Sequence, residues 1–463
     1  MNALLISTYD LGRQPFGLAS PAAWLEREGL SVRCLDLAVE TLDESAVGNA
    51  RLVAFYLPMH TATRLARHVI PRVRALNPGA HLCAYGLYAL MNETWLRSLG
   101  VHTVLGGEFE AALAALARGL MSAPGRRASH ARGVAPAPAP PTVVSFERLD
   151  FLPPSRAGLP DLHRYARLRV GDEMRIVGAT EASRGCRHSC RHCPIPPVYG
   201  GRFRIVAREV VLEDIRRQVR AGAQHITFGD PDFFNGIGHA LPIVEALHRE
   251  HPRLTYDVTI KIEHLLHHRA RLATLRDTGC AFVTSAVEAV DDAVLARLAK
   301  GHTRADFIAV AGQMRASGLT LHPTFVAFTP WTSLAGVRDL LRTLAALDLV
   351  DHVSPVQLAI RLLIPRGSLL LELEEVRALV GPFDGEALVH PWRHPDPSVD
   401  ALQAVLGRMV AEATARSESR REIFARAWTL AGVPPADAPR ERVAVGEAGA
   451  RAPVPYLTEP WYC

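Results

Sequence analysis

The sequence predicts an α/β protein: a doubly wound parallel sheet, then a partial β/α barrel, then a helical region. Three observations carry this. Short apolar runs of strand length alternate with helix-length segments over two long stretches. An alternating Ala/Pro tract separates those stretches, and from about residue 370 onward helical patterning takes over. The implied spans are 1–118, a Pro/Ala-rich linker at 119–142, 143–369, and 370–463.

In the first span, residues 3–7 read as a buried strand, 21–28 as a helix stopped by Gly29, and 31–37 as a second strand. The rhythm continues with a strand at 52–57, a helix at 61–76, and strands at 81–85 and 101–105. Such sheets bind ligands beyond the carboxyl ends of their strands. That rule gathers 8–12, 58–61, 86–89 and 106–108 around one crevice. Residues 135–141, Ala-Pro-Ala-Pro-Ala-Pro-Pro, favour extended backbone with no core of its own.

The second alternation places strands at 226–229, 257–260, 281–285, 320–328 and 356–363. Helices are expected at 210–221, 241–250, 269–277, 291–299, 304–316 and 334–346. Repeated β/α units argue for a full or partial barrel with its chemistry at the carboxyl ends of the strands. On the last expected strand, Gln357 and Arg361 would face the interior, where Arg361 is a candidate for binding a substrate carboxylate or phosphate.

Composition narrows the classes. With 48% hydrophobic and 21% charged residues the chain is expected to be globular, and no apolar run reaches the roughly 18–20 residues that span a bilayer. The formal charge of +5 comes almost wholly from dispersed arginine, since Lys261 and Lys300 are the only lysines. No basic stripe interleaved with aromatics marks a nucleic-acid partner. No basic leader precedes an apolar segment, so the expected location is the cytoplasm.

Three of the seven cysteines, Cys186, Cys190 and Cys193, crowd into eight residues. That density suits a metal site in a reducing compartment better than a disulfide framework. Soft thiolates at this spacing can converge on one iron–sulfur cluster, three of them leaving the fourth iron of a cubane open. The alternatives are a Cys3His zinc site completed by His188 or His192, and three unrelated core cysteines.

The stretch from Ala179 to about Pro365 resembles the radical S-adenosylmethionine (SAM) superfamily, whose Cys-x3-Cys-x2-Cys loop precedes a partial β/α barrel. The resemblance implies that Cys186, Cys190 and Cys193 hold a [4Fe–4S] cluster whose open iron chelates SAM. It also implies that Asp230 or the backbone carbonyls near Gly229 accept hydrogen bonds from the SAM amino group, that Ser285 and Glu288 meet its ribose and carboxylate, and that Thr324 and Val326 pack beside its adenine. A small-molecule or peptide substrate and a flavodoxin- or ferredoxin-type electron donor follow from the same resemblance.

The first span is similar to the flavodoxin-like, cobalamin-binding module often fused to such barrels, on the segments 16–29 and Gly107-Glu108-Phe109-Glu110. It lacks the Asp-x-His-x-x-Gly motif that supplies a histidine to cobalt elsewhere, which leaves cobalamin binding without a histidine open. The end, Thr458-Glu459-Pro460-Trp461-Tyr462-Cys463, resembles the subgroup named for a CUAEP or CCAEP tail, without its paired sulfur or selenium ligand. Cys463 is the candidate redox or ligand group there. The implied activity is reductive SAM cleavage, with cobalamin-dependent methyl transfer if cobalamin binds. Aminocarboxypropyl transfer and a non-catalytic redox-sensing role are the alternatives.

Overall fold

A computed structural model describes residues 2–122, 142–437 and 453–459. The expected linker, apart from its ends, and Cys463 lie outside these residues.

The front sheet forms from β1 (Asn2–Ser7), β2 (Ser31–Asp36), β3 (Leu52–Tyr56), β4 (His81–Tyr85), β5 (Thr103–Gly107) and β6 (Val143–Ser145). All pairs are parallel, in the order β2-β1-β3-β4-β5-β6. Strand alternation explains the two-sided burial. From β1, Leu4 and Ile6 join the core beneath the helix His60–Leu76, while Ala3 and Leu5 join the core beneath the helices Phe16–Arg27 and Glu110–Ser122. The expected helix at 21–28 in fact starts at Phe16, because Leu18, Ala19, Ala22 and Leu25 make one buried stripe that carries Pro21 inside it.

Two expected boundaries shift. The helix Glu110–Ser122 runs past residue 118, and β6, read as the start of the barrel region, extends the front sheet beside β5.

The second sheet has the order β14-β13-β12-β11-β8-β7-β15. Its parallel half-barrel consists of β8 (Glu173–Thr180), β11 (His225–Phe228), β12 (Thr255–Thr259), β13 (Cys280–Glu288) and β14 (Leu321–Phe325). The antiparallel strands β7 (Arg167–Val170) and β15 (Tyr456–Leu457) close one edge. A two-stranded ribbon, β9 (Ser183–Gly185) with β10 (Phe203–Ile205), leads into the cysteine loop.

The last expected strand, at 356–363, is corrected. Residues Pro355–Leu358 form a 3-10 turn, and only Arg361 bridges to Phe328. The reason is a partner distant in sequence: the Gln357 side-chain carbonyl accepts the Phe325 backbone N–H at 2.8 Å, taking the donor that a neighbouring strand would have used.

The outer face of the half-barrel is apolar. Ile226, Phe228, Tyr256, Val258, Val283 and Val287 pack beneath the surrounding helices in one continuous core. That core also takes Leu406, Met409 and Val410 from Pro397–Ala415, and Phe424 and Trp428 from Arg420–Leu430. The C-terminal helices therefore complete the same core as the barrel. Among the described residues no helix is long and apolar enough to cross a membrane.

Candidate functional site

Alternation turns the other face of the half-barrel, with Thr227, Asp257, Thr259, Thr284, His322 and Thr324, toward its interior. Some of these polar groups satisfy one another: Thr227 donates to Asp257 at 2.6 Å, and His225 Nε2 lies 2.8 Å from the same oxygen. Thr324 Oγ1 is buried with no hydrogen-bond partner among the described residues. Leu168, Val177 and Phe282 pack together near the amino ends of the strands on this same face, so the interior is apolar at its base and polar toward the carboxyl ends, where it suits a polar ligand.

The cysteine loop sits at the mouth of this interior. Gly185 enters it at φ 75°, where a side-chain Cβ would stand 2.4 Å from the Arg202 carbonyl oxygen, so glycine is required. Arg191 fastens the loop to the far side of the mouth: its N–H donates to Leu298 O at 2.9 Å and its guanidinium to Arg297 O at 2.9 Å. Cys186 and Cys190 are buried and Cys193 is half-buried. Asn235 Oδ1 lies 3.9 Å from Cys186 Sγ.

Burial pushes the Cys186 and Cys193 thiols up. The fold by itself thus favours the thiols, and a cationic metal centre is the kind of group that would draw out the thiolates. In a tetrahedral zinc site, sulfurs about 2.3 Å from the metal stand under about 4 Å apart. The three sulfurs do not form such a group: among the described residues, the His/Cys/Asp/Glu ligand atoms that gather within 4.8 Å of one another are those of His188, Asp232 and His264.

The residues expected to contact SAM divide. Gly229 follows β11 directly and lines the cleft in front of the barrel, its N–H donating to Thr180 O at 2.7 Å. Asp230 is turned to the protein, accepting from Ala182 N–H at 2.9 Å and from the Ser183 hydroxyl at 2.5 Å; burial lifts its pKa to about 7 against those bonds. The expectation that its carboxylate is free for an amine is corrected, and Asp232, two residues on, faces the cysteine loop instead.

Ser285 shares the outer face of β13 with the core residues Val283 and Val287, so the expectation that it faces a ligand is likewise corrected; Thr284 and Ala286 face inward. Glu288 ends β13 at φ 71° and is committed to the protein, its Oε1 3.1 Å from His192 Nε2 and 3.5 Å from Lys300 Nζ. Burial alone would raise its pKa, but Lys300 and His192 outweigh it and hold it at about 2. Glu288 thereby ties the cysteine loop to the barrel. Val326 donates its N–H to Glu288 O at 2.9 Å and packs in a side cluster with Leu298 and Ile364.

Arg361 does not face the interior. Its guanidinium donates to Asp400 at 2.5 Å and to Trp392 O at 2.6 Å, and it stacks 3.5 Å over the Trp392 ring. It anchors the helical region.

The crevice expected at the front sheet exists. Asp10, Pro58, Met59, Gly86, Leu87 and Gly107 meet Ile195, Tyr199 and Gly229 around a cleft of about 1000 Å³, open mouth included. Its floor is an ion cluster that the sequence does not announce. Arg184 donates to Glu110 at 2.7 and 2.9 Å and to Glu181 at 2.7 Å, lies 3.4 Å from Glu108, and stacks near Phe16, Phe109 and Phe151. Burial raises the Glu108 pKa to about 7, against the lowering pull of Arg184. The tail crosses nearby, where Tyr9 donates its hydroxyl to Glu459 at 2.5 Å.

Comparison with known proteins identifies residues 180–331 with the radical SAM superfamily. The hopanoid C-3 methylase of Methylococcus capsulatus is 26% identical over 345 residues, which cover 71% of this chain and 64% of that enzyme. The chain thus matches less than two thirds of that relative's length. Among solved structures, the cobalamin-dependent SAM radical enzyme OxsB, with aqua-cobalamin and SAM bound, superposes with a TM-score of 0.69 at 14% identity, over 93% of this chain and 71% of its own. The radical SAM methyltransferase TsrM from Kitasatospora setae, with tryptophan and aza-SAM bound, gives 0.65 at 16% identity, over 93% and 99%. At these identities the likeness is one of fold: a parallel front sheet, a half-barrel and surrounding helices.

Proposed function

Since residues 180–331 match the radical SAM superfamily, we propose that the chain is an enzyme that binds a [4Fe–4S] cluster through Cys186, Cys190 and Cys193 and cleaves SAM reductively. The observation that supports this most is the three-cysteine loop, with Cys186 and Cys190 buried, pinned at the mouth of the half-barrel. With cluster and SAM bound, one-electron reduction of the sulfonium supplies a carbon radical.

The chain's own residues do the rest. Arg191 and the Glu288–His192–Lys300 group hold the loop against the barrel, and Asn235 steadies Cys186. Thr284 and Thr324 offer inward hydroxyls to a polar ligand, and the apolar shell keeps bulk water from it.

The finer reading is cobalamin-dependent methyl transfer to a small molecule or peptide. It is supported by the named relatives and by the front cleft, whose rim of Pro58, Met59, Leu87, Ile195 and Tyr199 fits a broad, largely apolar ligand. Cobalamin bound there would supply a methyl carrier. The described lining holds no histidine, so the cofactor would sit without a histidine ligand from this cleft. A flavodoxin- or ferredoxin-type donor would deliver the electron.

Anaerobic reconstitution followed by SAM and a strong reductant tests the reading. Formation of 5′-deoxyadenosine is expected. Methylthioadenosine in its place would redirect the proposal to aminocarboxypropyl transfer, and an intact cluster with neither product would overturn it. Protein produced with the vitamin supplied should retain stoichiometric cobalt with a corrinoid visible spectrum; a cobalt-free product would remove the methyl-transfer arm.

A further inference from the structure

A second cluster of ligating side chains stands beside the cysteine loop and uses none of its sulfurs. His188, Asp232 and His264 each offer a ligand atom, all within 4.8 Å of one another, and His188 Nε2, Asp232 Oδ2 and His264 Nδ1 face this group. Each is buried and lacks a properly oriented hydrogen bond among the described residues. Asp232 Oδ2 is 2.7 Å from His264 Nδ1 and 3.6 Å from His188 Nε2.

Three separate segments converge here. Asp232 caps the turn Phe233–Gly236 with Oδ1, which accepts the Phe234 N–H at 3.2 Å, and this leaves Oδ2 aimed at the two imidazoles. His264 projects from the helix Ile262–His267 and His188 from the loop between Cys186 and Cys190.

An imidazolium–carboxylate pair would account for His264 and Asp232 but would leave His188 Nε2 buried and unmatched, at a cost of about 1–3 kcal/mol. One cation satisfies all three atoms. Ligands about 2.0–2.1 Å from a zinc-sized ion stand about 3.3 Å apart in a tetrahedron, and the observed 2.7 and 3.6 Å lie on either side of that value. Behind His188, Glu263 Oε2 lies 3.7 Å from Nδ1, the carboxylate-behind-imidazole placement that orients ligating histidines.

We propose that His188, Asp232 and His264 bind a divalent transition-metal ion of the zinc class, with Glu263 as the positioning residue for His188. Two imidazoles and one carboxylate select zinc-like ions over magnesium or calcium, and three protein ligands leave a coordination position open to water or to a substrate oxygen. The ion also links the cysteine loop to the helix after β12.

The test uses the full chain with its cluster reconstituted, so that the cysteines are occupied, exposed to micromolar Zn²⁺ and then gel-filtered. Stoichiometric zinc is expected, with an X-ray absorption shell of nitrogen and oxygen that shows imidazole scattering. H264A and D232N should each lower retained zinc at least tenfold while cluster iron and the circular dichroism spectrum stay unchanged. Absence of retained zinc in the wild type, a sulfur shell, or undiminished zinc in a folded H264A would each overturn the site. The wild-type absorption spectrum decides the matter even if a variant fails to fold. Loss of the cluster itself would show separately, as missing iron.

Discussion

The two sheets treat the carboxyl ends of their strands differently. At the front sheet the floor of the cleft is closed by the protein's own groups: Arg184 is met by Glu108, Glu110 and Glu181 and walled by aromatic rings. At the half-barrel, buried polar atoms of His188, Asp232, Asn235, His264 and Thr324 are left without hydrogen-bond partners among the described residues. Each such group costs about 1–3 kcal/mol if nothing ever binds it. The front sheet leaves single atoms of this kind at Ser7, Asp36 and Glu108, whereas the barrel mouth gathers those five residues, which marks it as a place where ligands complete the structure. The front cleft gives a ligand shape and an apolar rim, whereas the barrel mouth gives it polar partners.

Four variants break or sharpen this contrast. The largest effect belongs to C186A/C190A/C193A, which should bind no cluster iron and form no 5′-deoxyadenosine while keeping its far-ultraviolet circular dichroism. Next, R184A would strand the buried carboxylates of Glu108 and Glu110 and the half-buried one of Glu181, and a loss of about 3–5 kcal/mol is expected in chemical denaturation.

E108Q acts in the opposite direction and only at higher pH. The Glu108 carboxyl titrates near 7 in the folded chain against an ordinary 4.5. The wild type therefore loses stability as pH rises between those values, because the folded state holds its proton longer than the unfolded one. E108Q should gain on the order of 2 kcal/mol over the wild type at pH 8 and little at pH 5, which thermal unfolding at the two pH values checks. The smallest effect is R361M. Loss of the Asp400 and Trp392 contacts should cost about 1–3 kcal/mol, while SAM cleavage stays within about twofold of wild type, as fits an anchor rather than a substrate ligand.

Much of this organisation is legible in sequence because it is local. The buried runs Leu52–Tyr56 and His81–Tyr85 and the helices Arg304–Ala316 and Leu334–Ala346 fall where apolar patterning puts them. What fails is settled by distant partners. The run at 356–363 has the composition of a strand, yet the Gln357 side chain takes the hydrogen bond a strand would have made. β6 is short and carries two exposed valines, so only β5 makes it a strand. β15 finds β7 across nearly the whole second half of the chain.

At the site, the cysteine spacing is visible in eight consecutive residues. The His188–Asp232–His264 group is assembled by topology from three segments and has no local signature. Asp230 and Asp232 look interchangeable in sequence. The backbone N–H of Ala182 and the Ser183 hydroxyl decide between them by claiming Asp230.

The central claim is that Cys186, Cys190 and Cys193 hold a cluster with one iron open to SAM. Electron paramagnetic resonance of the reduced, reconstituted protein, recorded with and without SAM, tests it directly. The account predicts a reduced-cluster signal whose g-values shift when SAM is added, and no such signal in C186A/C190A/C193A. A signal indifferent to SAM, or one that survives loss of the three cysteines, would contradict it.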